Sequence, residues 1–308
     1  MFEKLFKKSF VPSQIKEFVD YMRQEQNLSE TTISFRLAEL RRFFSKTKGK
    51  SGQFLAHLTP ARLDAILIHK LNQGIYAPVT IKNFGHILRV FFRYAEHQGW
   101  CRPGIADSIQ TPRIYKYATL PVPPTWEEVQ RLIKTTEGSR PSDIRARAII
   151  LLLAIYGLRN SEVRQLRLED FDWEQKTFRL KHSKRGPTKQ VPLLPTVGQA
   201  LIRYIKDARP KGASHRELFL TLHAPYRPLG DIWELVSSRW KKLNIKIKHH
   251  GPHALRHACA TRLINQGVPL KTIADQLGHR SLDSTRIYAK VDLTRLREVA
   301  NFNLRGVL

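Results

Sequence analysis

The stretch "HALRHACATRLINQGVPLKTIADQLGHRSLDSTRIYAK", from His253 to Lys290, decides how the fold of this chain is interpreted. Its apolar residues recur at three- and four-residue spacing, which predicts two amphipathic helices. On the first helix, His253, Arg256 and His257 occupy positions i, i+3 and i+4, so all three side chains project from one face. They can therefore converge on a single target.

A zinc ion is one candidate target, because two histidines four residues apart on a helix have the spacing of a zinc protease. That motif needs a glutamate directly after the first histidine, and this chain has Ala254 there. Arg256 would also place a positive charge against the metal. We therefore expect no metal at this site.

Helix-turn-helix DNA recognition is a second candidate. The segment "PLKTIADQLGHRSLDSTRIYAKV" has the order helix, glycine-containing turn, helix that is typical of such motifs. A non-catalytic DNA-binding regulator is therefore an alternative function. This alternative does not account for Arg159 in "YGLRNSEV" or for the lysines in "KHSKRGPTKQVPL".

The charge of the chain favours a polyanion as its partner. The 308 residues include 53 Lys and Arg against 26 Asp and Glu, a formal net charge of +27. These basic residues are spread along the chain, so folded surfaces are expected to meet the polyanion, most often nucleic acid. The two cysteines, Cys101 and Cys259, support neither a disulfide framework nor a thiolate zinc site and indicate a reducing cytoplasm.

Length and pattern predict two domains. Four segments with helical spacing, each behind a Ser or Pro start signal, predict a helical DNA-binding domain over residues 1–103. Prolines at 103, 112, 121, 123 and 124 then indicate an extended linker over residues 104–124. Basic residues that favour a DNA-facing surface on the first domain are Arg41, Arg42, Lys46, Lys48 and Lys50.

The second domain, residues 125–308, opens at Thr125 and Glu128, which predict a T-x-x-E capping box. The apolar run "AIILLLAIYGL" from Ala148 is shorter than the ~18 residues that span a bilayer, so it predicts a buried core helix and no membrane association. A short helix "NSEVRQLR" follows, then a β-hairpin with a basic tip in "KTFRLKHSKRGPTKQVPL" and a short strand "ELFLT". The expected fold class is mainly α with a small β-hairpin or sheet.

In this order of motifs the chain resembles the tyrosine recombinases, also called the phage integrase family. Their active site is assembled from Arg, Lys, His-x-x-Arg, His or Trp, and Tyr in that chain order. The matching residues are Arg159, Lys184, His253, Arg256, His279 in "LGHRS" and Tyr288 in "STRIYAK". The resemblance implies a helical core-binding domain and a tyrosine-recombinase catalytic domain that clamp opposite faces of DNA. It also implies that Glu162 and His257 orient Arg159 and the histidines.

The chemistry gives independent reasons for these residue types. Exchange of a DNA phosphodiester for a 3′-phosphotyrosine passes through a phosphorane-like state whose oxygens carry extra negative charge, where fixed cations are worth most. Guanidinium groups, as in Arg159 and Arg256, can grip phosphate with two parallel bonds. Tyr288 has an ordinary pKa of ~10 and needs this cationic pocket or a base to become a nucleophile. The bond energy is kept in the phosphotyrosine, so no cofactor is expected.

The departing 5′ oxygen needs an acid, and the hairpin supplies lysines for this role. Counting back from "VPL" selects Lys184, whereas a shifted hairpin would select Lys181. Lys184 lies between Ser183 and Arg185, while the family often has Gly-Lys-Gly. The alternative is that these lysines only touch DNA phosphates as a solvated basic hairpin.

The expected partners are double-stranded DNA recombination sites, bound by a homotetramer on two paired sites. Family resemblance implies that the C-terminal "DLTRLREVANFNLRGVL" docks on a neighbouring subunit, although a helix packed on its own domain remains an alternative. We expect a nucleoid-associated cytoplasmic protein without the arm-binding domain of lambda-type integrases. The expected absence of that domain favours a Xer-like or mobile-element recombinase. A type IB topoisomerase is an alternative enzyme that shares the chemistry but usually comes in a larger protein.

Overall fold

A computed structural model describes residues 13–44, 51–72, 74–114, 122–181, 188–245, 247 and 249–278 of the chain. The chain divides into two compact units, Met1–Ala118 and Thr119–Leu308. Both units are built mainly from helices, and the second also contains a three-stranded antiparallel sheet. The predicted fold class is confirmed.

The helices described in the first unit are α1 (Ser13–Gln24), α2 (Glu30–Phe44), α3 (Ser51–Ala56), α4 (Pro60–Asn72), α5 (Pro78–His97) and α6 (Ile105–Ser108). Aromatic side chains from α1, α2 and α5 form much of its core. The ring of Phe91 lies 5.2 Å from that of Phe18 and 5.6 Å from that of Phe44, both edge to face. This geometry sets the positive edge of one ring against the negative face of another, so it adds to the free energy of burial. It fixes α1 and α2 against α5.

The helices described in the second unit are α7 (Trp126–Lys134), α8 (Pro141–Tyr156), α9 (Asn160–Gln165), α10 (Pro195–Arg203), α11 (Trp233–Lys242), α12 (Pro252–Asn265) and α13 (Leu270–Leu277). Helix α8 is buried on nearly all sides, and α7, α9, α10, α11 and α12 pack around it. A helix that is apolar all round is stable in water only when it is surrounded in this way. The predicted core helix is confirmed.

The capping box that the sequence predicts at the start of α7 is present. The Thr125 hydroxyl accepts a hydrogen bond from the backbone N–H of Glu128 at 3.3 Å. The Glu128 carboxylate accepts one from the backbone N–H of Thr125 at 2.8 Å. Two N–H groups without partners inside the helix are thus satisfied, which fixes where α7 begins.

The sheet contains β1 (Phe171–Asp172), β2 (Thr177–Lys181) and β3 (Thr188–Pro192) in that spatial order. Phe178 and Leu180 face the core, while Arg179 and Lys181 face outward. The pairing of Lys181 with Thr188 closes the described part of the β2–β3 hairpin. The predicted hairpin is confirmed, and its tip, including Lys184, lies outside the described residues.

The segment "ELFLT" does not form the predicted strand. Only isolated bridges join Arg167 to Glu217 and Leu220 to Pro228. The physical reason is that the backbone groups of the segment have several different partners. Leu218 donates to the carbonyl of Leu166 at 2.8 Å, and Phe219 accepts from Leu229 at 3.2 Å. The Arg209 side chain donates to the carbonyls of Glu217 at 3.1 Å and Leu218 at 3.2 Å. These carbonyls are therefore satisfied without a ladder.

Residues 105–108, which we expected in an extended linker, form the one-turn helix α6. Ile105, Ala106 and Ile109 are buried in the core of the first unit. Arg89 of α5 donates to the carbonyl of Ile109 at 2.7 Å and holds this segment on the helix. The prediction of an extended linker from the prolines was therefore wrong for this segment, because its apolar residues pack in the core of the first unit.

No helix in the described part of the chain combines the length and apolar character needed to cross a membrane.

Candidate active site

Arg159 lies at the start of α9 and is held by a buried carboxylate. Its backbone N–H and its Nη1 each donate to Glu162, at 2.7 Å in both cases. Glu162 is only 4% exposed, so its charge requires such a partner. Nη2 of Arg159 donates to the carbonyl of Gly278 at 2.9 Å. About a third of the Arg159 side chain remains exposed, so it can still meet a ligand.

Arg256 lies on α12 and is almost fully buried, at 4% exposure. Its Nη1 donates to the carbonyl of Gly157, at the C-terminal end of α8, and its Nη2 to the carbonyl of Leu277, at the end of α13. Both distances are 2.6 Å. Helix C-termini carry partial negative charge, so a guanidinium between two of them is stabilised. Arg159 and Arg256 contact the consecutive carbonyls of residues 278 and 277, which brings the two guanidinium groups together.

Glycine is required where α8 ends. Gly157 has a left-handed backbone, with φ of 63°, that lets the chain turn from α8 towards Arg159. A Cβ atom at this position would lie 2.5 Å from Cδ2 of Leu277 and 3.3 Å from Sγ of Cys259. The close approach of the end of α8 to α13, which Arg256 bridges, therefore depends on the missing side chain.

Two histidines on α12 complete the described part of the site. Desolvation, then repulsion by Arg256 and Arg159, lowers the pKa of His253, although part of its ring is exposed. Burial, followed by the charges of His253, Arg256 and His249, lowers the pKa of His257 to about 4. Both imidazoles are therefore neutral at pH 7. A neutral imidazole can donate one hydrogen bond to a phosphate oxygen without first losing a proton.

Three of the predicted site residues, Lys184, His279 and Tyr288, lie outside the described residues. The competing lysine, Lys181, is exposed at the end of β2. It contributes to the wall of an open cleft of about 700 Å³ that also contains Glu162 and Arg164. Both hairpin lysines thus remain candidates for the acid. Within the described ranges, no three His, Cys, Asp or Glu side chains group together as metal ligands would.

A surface of the first unit was missed by the sequence analysis. Helix α5 carries Lys82, His86, Arg89 and Arg93 at spacings of four, three and four residues, and we call these four residues the cationic stripe. This spacing places them along one line of the helix, over roughly 16 Å at 1.5 Å per residue. Desolvation, then Arg36, Arg89 and Arg93, lowers the pKa of His86. The helical spacing was the signal that could have revealed it.

Two of the five basic residues that were expected to form a DNA-facing surface lie within the described residues. Arg42 is half exposed and forms an ion pair with Glu39 at 2.7 Å. Arg41 is partly buried. Lys46, Lys48 and Lys50 lie outside the described residues.

Comparisons with known proteins decide the family. Residues 125–295 match the model of the phage integrase family, and residues 13–99 match its N-terminal SAM-like domain. The chain belongs to the phage integrase family. It is a tyrosine-type site-specific DNA recombinase, and nothing in the comparisons favours the alternative of a non-catalytic regulator.

Similar proteins come from several bacteria. The integrase/recombinase-type protein y4rF of Sinorhizobium fredii is 34% identical over 93% of this chain and 68% of its own length. The tyrosine recombinase XerC of Lacticaseibacillus casei is 30% identical over 92% of this chain and 95% of its own. The tyrosine recombinase XerD of Staphylococcus epidermidis is 26% identical over 92% and 96%.

Solved structures of recombinases share the fold. A XerH site-specific recombinase bound to a palindromic difH substrate, in a post-cleavage complex, has a TM-score of 0.68 at 22% identity, covering 94% of this chain and 84% of its own. The Tn1549 transposon integrase in complex with a circular intermediate DNA has a TM-score of 0.68 at 20% identity, covering 92% and 99%. At these identities the likeness shows the fold alone.

Proposed function

We propose that this chain exchanges strands between two duplex DNA sites through a 3′-phosphotyrosine intermediate formed on Tyr288. The observation that carries the proposal is the pair of guanidinium groups, Arg159 and Arg256, anchored on the consecutive carbonyls of Leu277 and Gly278. Two fixed cations side by side match the non-bridging oxygens of a phosphate in transesterification. They are anchored directly before the segment that carries the proposed nucleophile.

The remaining roles follow from the chemistry. The Tyr288 phenol, whose phenolate the cationic pocket favours, releases its proton to solvent, and its oxygen attacks phosphorus. The P–O5′ bond breaks, and the 3′ phosphate of the DNA becomes joined to the enzyme. Lys184 donates the proton that the departing 5′ oxygen needs. His253 and His279 donate hydrogen bonds to the phosphate. Attack by a 5′ hydroxyl of the partner duplex then reverses each step and releases Tyr288 as the phenol.

Two neighbouring side chains are proposed to hold these groups in place. Glu162 contacts Arg159 through two hydrogen bonds, and we assign it the role of orienting that guanidinium. His257 lies one helical turn after His253 on α12 and is neutral, and we assign it the same role towards the site histidines. The proposed reaction uses only groups of the chain and the DNA, without ATP or metal.

We propose that both domains bind DNA. We assign DNA binding to the first unit, which includes the segment 105–109 that we had expected in the linker, and catalysis to residues 125–308. The cationic stripe supports DNA contact by the first domain, because Lys82 and Arg93 are exposed cations along one line of α5 that can follow phosphates. The net charge of +27 supports phosphate contacts along much of the chain.

We further propose that the protein acts as a homotetramer on two paired recombination sites, in the cytoplasm with the nucleoid. Two exchanges between two duplexes need four nucleophiles, one for each strand that is cut. The similar proteins named XerC, XerD and integrase/recombinase support a Xer-like or mobile-element recombinase.

The test is the formation of a covalent adduct. The full chain first selects its preferred sequence from randomised duplexes. It is then incubated with a nicked duplex of that sequence. Because of the nick, the cleaved strand diffuses away and the adduct accumulates. We expect a denaturation-resistant protein–DNA band for the wild type and none for Tyr288→Phe, which retains DNA binding. Tyr226→Phe, which alters a partly exposed tyrosine outside the motif, is the matched control and retains the band. Adduct formation by Tyr288→Phe would refute the assignment of the nucleophile.

A further inference from the structure

One large aromatic side chain of the first unit is oriented away from the core. Phe35 on α2 is 57% exposed, while the core side of this helix is lined by Ile33, Leu37, Leu40 and Phe44. At 100° per residue, Phe35 lies near the centre of the opposite, solvent-exposed face. A phenylalanine there loses the free energy that burial would give it, unless a partner covers it.

Phe35 lies beside the basic surface of α5. Phe43 packs against Phe84 and Phe92 of α5, with ring centroids 6.3 and 6.1 Å apart, so this side of α2 faces α5. Arg36 lies on the same side of α2 as Phe43, because seven residues correspond to nearly two helical turns. Its charge is close enough to lower the pKa of His86 in the cationic stripe. Phe35, the residue before Arg36, is thus exposed next to a surface suited to phosphates.

The rest of the exposed face of α2 permits close approach of a partner. Its other exposed residues around Phe35 are Thr31, Ser34 and Ala38, all of them small. The acidic side chains of the helix are each ion-paired, Glu30 with Arg23 at 2.8 Å and Glu39 with Arg42 at 2.7 Å. The face is therefore narrow and carries little net negative charge, as entry into a DNA groove requires.

We propose that α2 enters the major groove and that Phe35 recognises a thymine through apolar contact with its C5-methyl group. The major groove, about 12 Å wide, admits an α-helix, and the thymine methyl is its apolar feature. The cationic stripe would contact the phosphates and set the position of the helix, while Phe35 would add base specificity. This inference rests on the proposed function, since it requires that the first unit binds DNA.

The experiment uses the full chain and a library of randomised duplexes, whose bound fraction is sequenced after selection. Wild type, Phe35→Ala and Ile75→Ala are compared, where Ile75 is an exposed apolar residue of the same unit outside α2. We expect Phe35→Ala to lose the preference for thymine at one position of the selected site and to keep its other preferences. Ile75→Ala keeps all of them. Because alanine favours helices and Phe35 is exposed, folding of the variant is expected to be intact.

Deoxyuridine tests the contact itself, because it lacks only the methyl group. Placed at the identified position, it is expected to weaken wild-type binding about fourfold, the factor that corresponds to ~0.8 kcal/mol for one buried carbon. Binding by Phe35→Ala is expected not to change. Lys82→Gln, which removes a cation of the stripe, weakens binding to all sequences and reduces the slope of log affinity against log salt by about 0.9.

Two results would overturn the inference while leaving the proposed function intact. One is that Phe35→Ala selects the same sequences as the wild type. The other is that deoxyuridine weakens wild type and Phe35→Ala equally. In the first case, a change in the oligomeric state of Phe35→Ala would indicate that this face contacts a protein. If the wild type binds no duplex at all, the proposed function itself fails.

Discussion

The end of α8 provides a sharp test of how the site is held together, through the substitution Gly157→Ala. Alanine must adopt the left-handed backbone of Gly157, which costs roughly 1–2 kcal/mol. Its Cβ would also lie 2.5 Å from Cδ2 of Leu277. Leu277 is fully buried, so it has no space to move into, and such overpacking costs about 1–3 kcal/mol. We expect a total loss of ~2–5 kcal/mol in the free energy of unfolding.

Gly212→Ala is the matched control. Gly212 also has a left-handed backbone, with φ of 76°, but a Cβ there would meet no atom within 4 Å. The backbone cost and the gain from a less flexible unfolded chain apply to both variants and cancel in the comparison. The difference between them therefore measures the contact with α13. We expect the melting midpoint of Gly157→Ala to lie about 2–12 °C below that of Gly212→Ala, from the ~1–3 kcal/mol of overpacking.

Activity is the second measurement on these variants. Because the carbonyl of Gly157 accepts the hydrogen bond from Arg256, a backbone shift there moves a proposed phosphate ligand. Misplacement by about 1 Å can lower a rate by roughly 10²-fold. We expect that loss in adduct formation by Gly157→Ala at a temperature where both variants are folded. Equal melting midpoints and equal rates for the two variants would refute the reasoning.

Three further predictions concern residues that are proposed to contact the DNA or to support those contacts. Glu162→Gln is expected to lower the free energy of unfolding by about 1–3 kcal/mol, because the partly exposed Arg159 loses the charge of its buried carboxylate partner. Glu169→Gln, in a solvent-exposed ion pair, changes it by less than about 0.5 kcal/mol in the same thermal melts. The pKa of His86 is lowered in the free protein and is expected to rise when a phosphate binds. DNA affinity therefore increases as the pH falls below the pKa of His86 in the complex, and it levels off below the lowered pKa of the free protein. His86→Gln removes that part of the increase in a binding titration. Lys184→Ala is expected to cleave DNA ~10² to 10⁴-fold more slowly and to recover with sulfur at the bridging 5′ position, while Lys181→Ala is much less affected. Sulfur rescue of Lys181→Ala alone would move the acid to that residue.

The sequence predicted elements wherever a local signal coincided with packing. The capping box at Thr125 and the apolar run of α8 each have a local cause that the fold preserves. The "ELFLT" segment failed because its backbone groups have several different partners, among them Arg209, which is remote from any strand pattern. Ile109 was missed because its partner Arg89 lies 20 residues away, and a proline-rich context concealed the contact.

The proposed site was only partly accessible to sequence reasoning. The spacing of His253 and Arg256 on one helix face could be predicted, because α-helical geometry determines it. The anchoring of Arg256 on the ends of α8 and α13 could not, because it depends on how three helices meet. Phe35 could have been noticed, since it lies off the apolar periodicity of α2.

The anchoring explains why arginine suits both positions better than another cation would. Arg159 donates to the carbonyl of Gly278 and Arg256 to that of Leu277, the residues directly before His279. A guanidinium has five N–H donors in one rigid plane, and Arg159 directs two of them to protein groups within the described residues. Its remaining donors can grip a phosphate while the plane stays locked to the chain. Lysine has a single nitrogen on a flexible stem, so it could neutralise the phosphate but could not fix its position relative to this segment. With lysine at these positions, binding of the phosphate would not be coupled to the placement of the segment that leads to Tyr288.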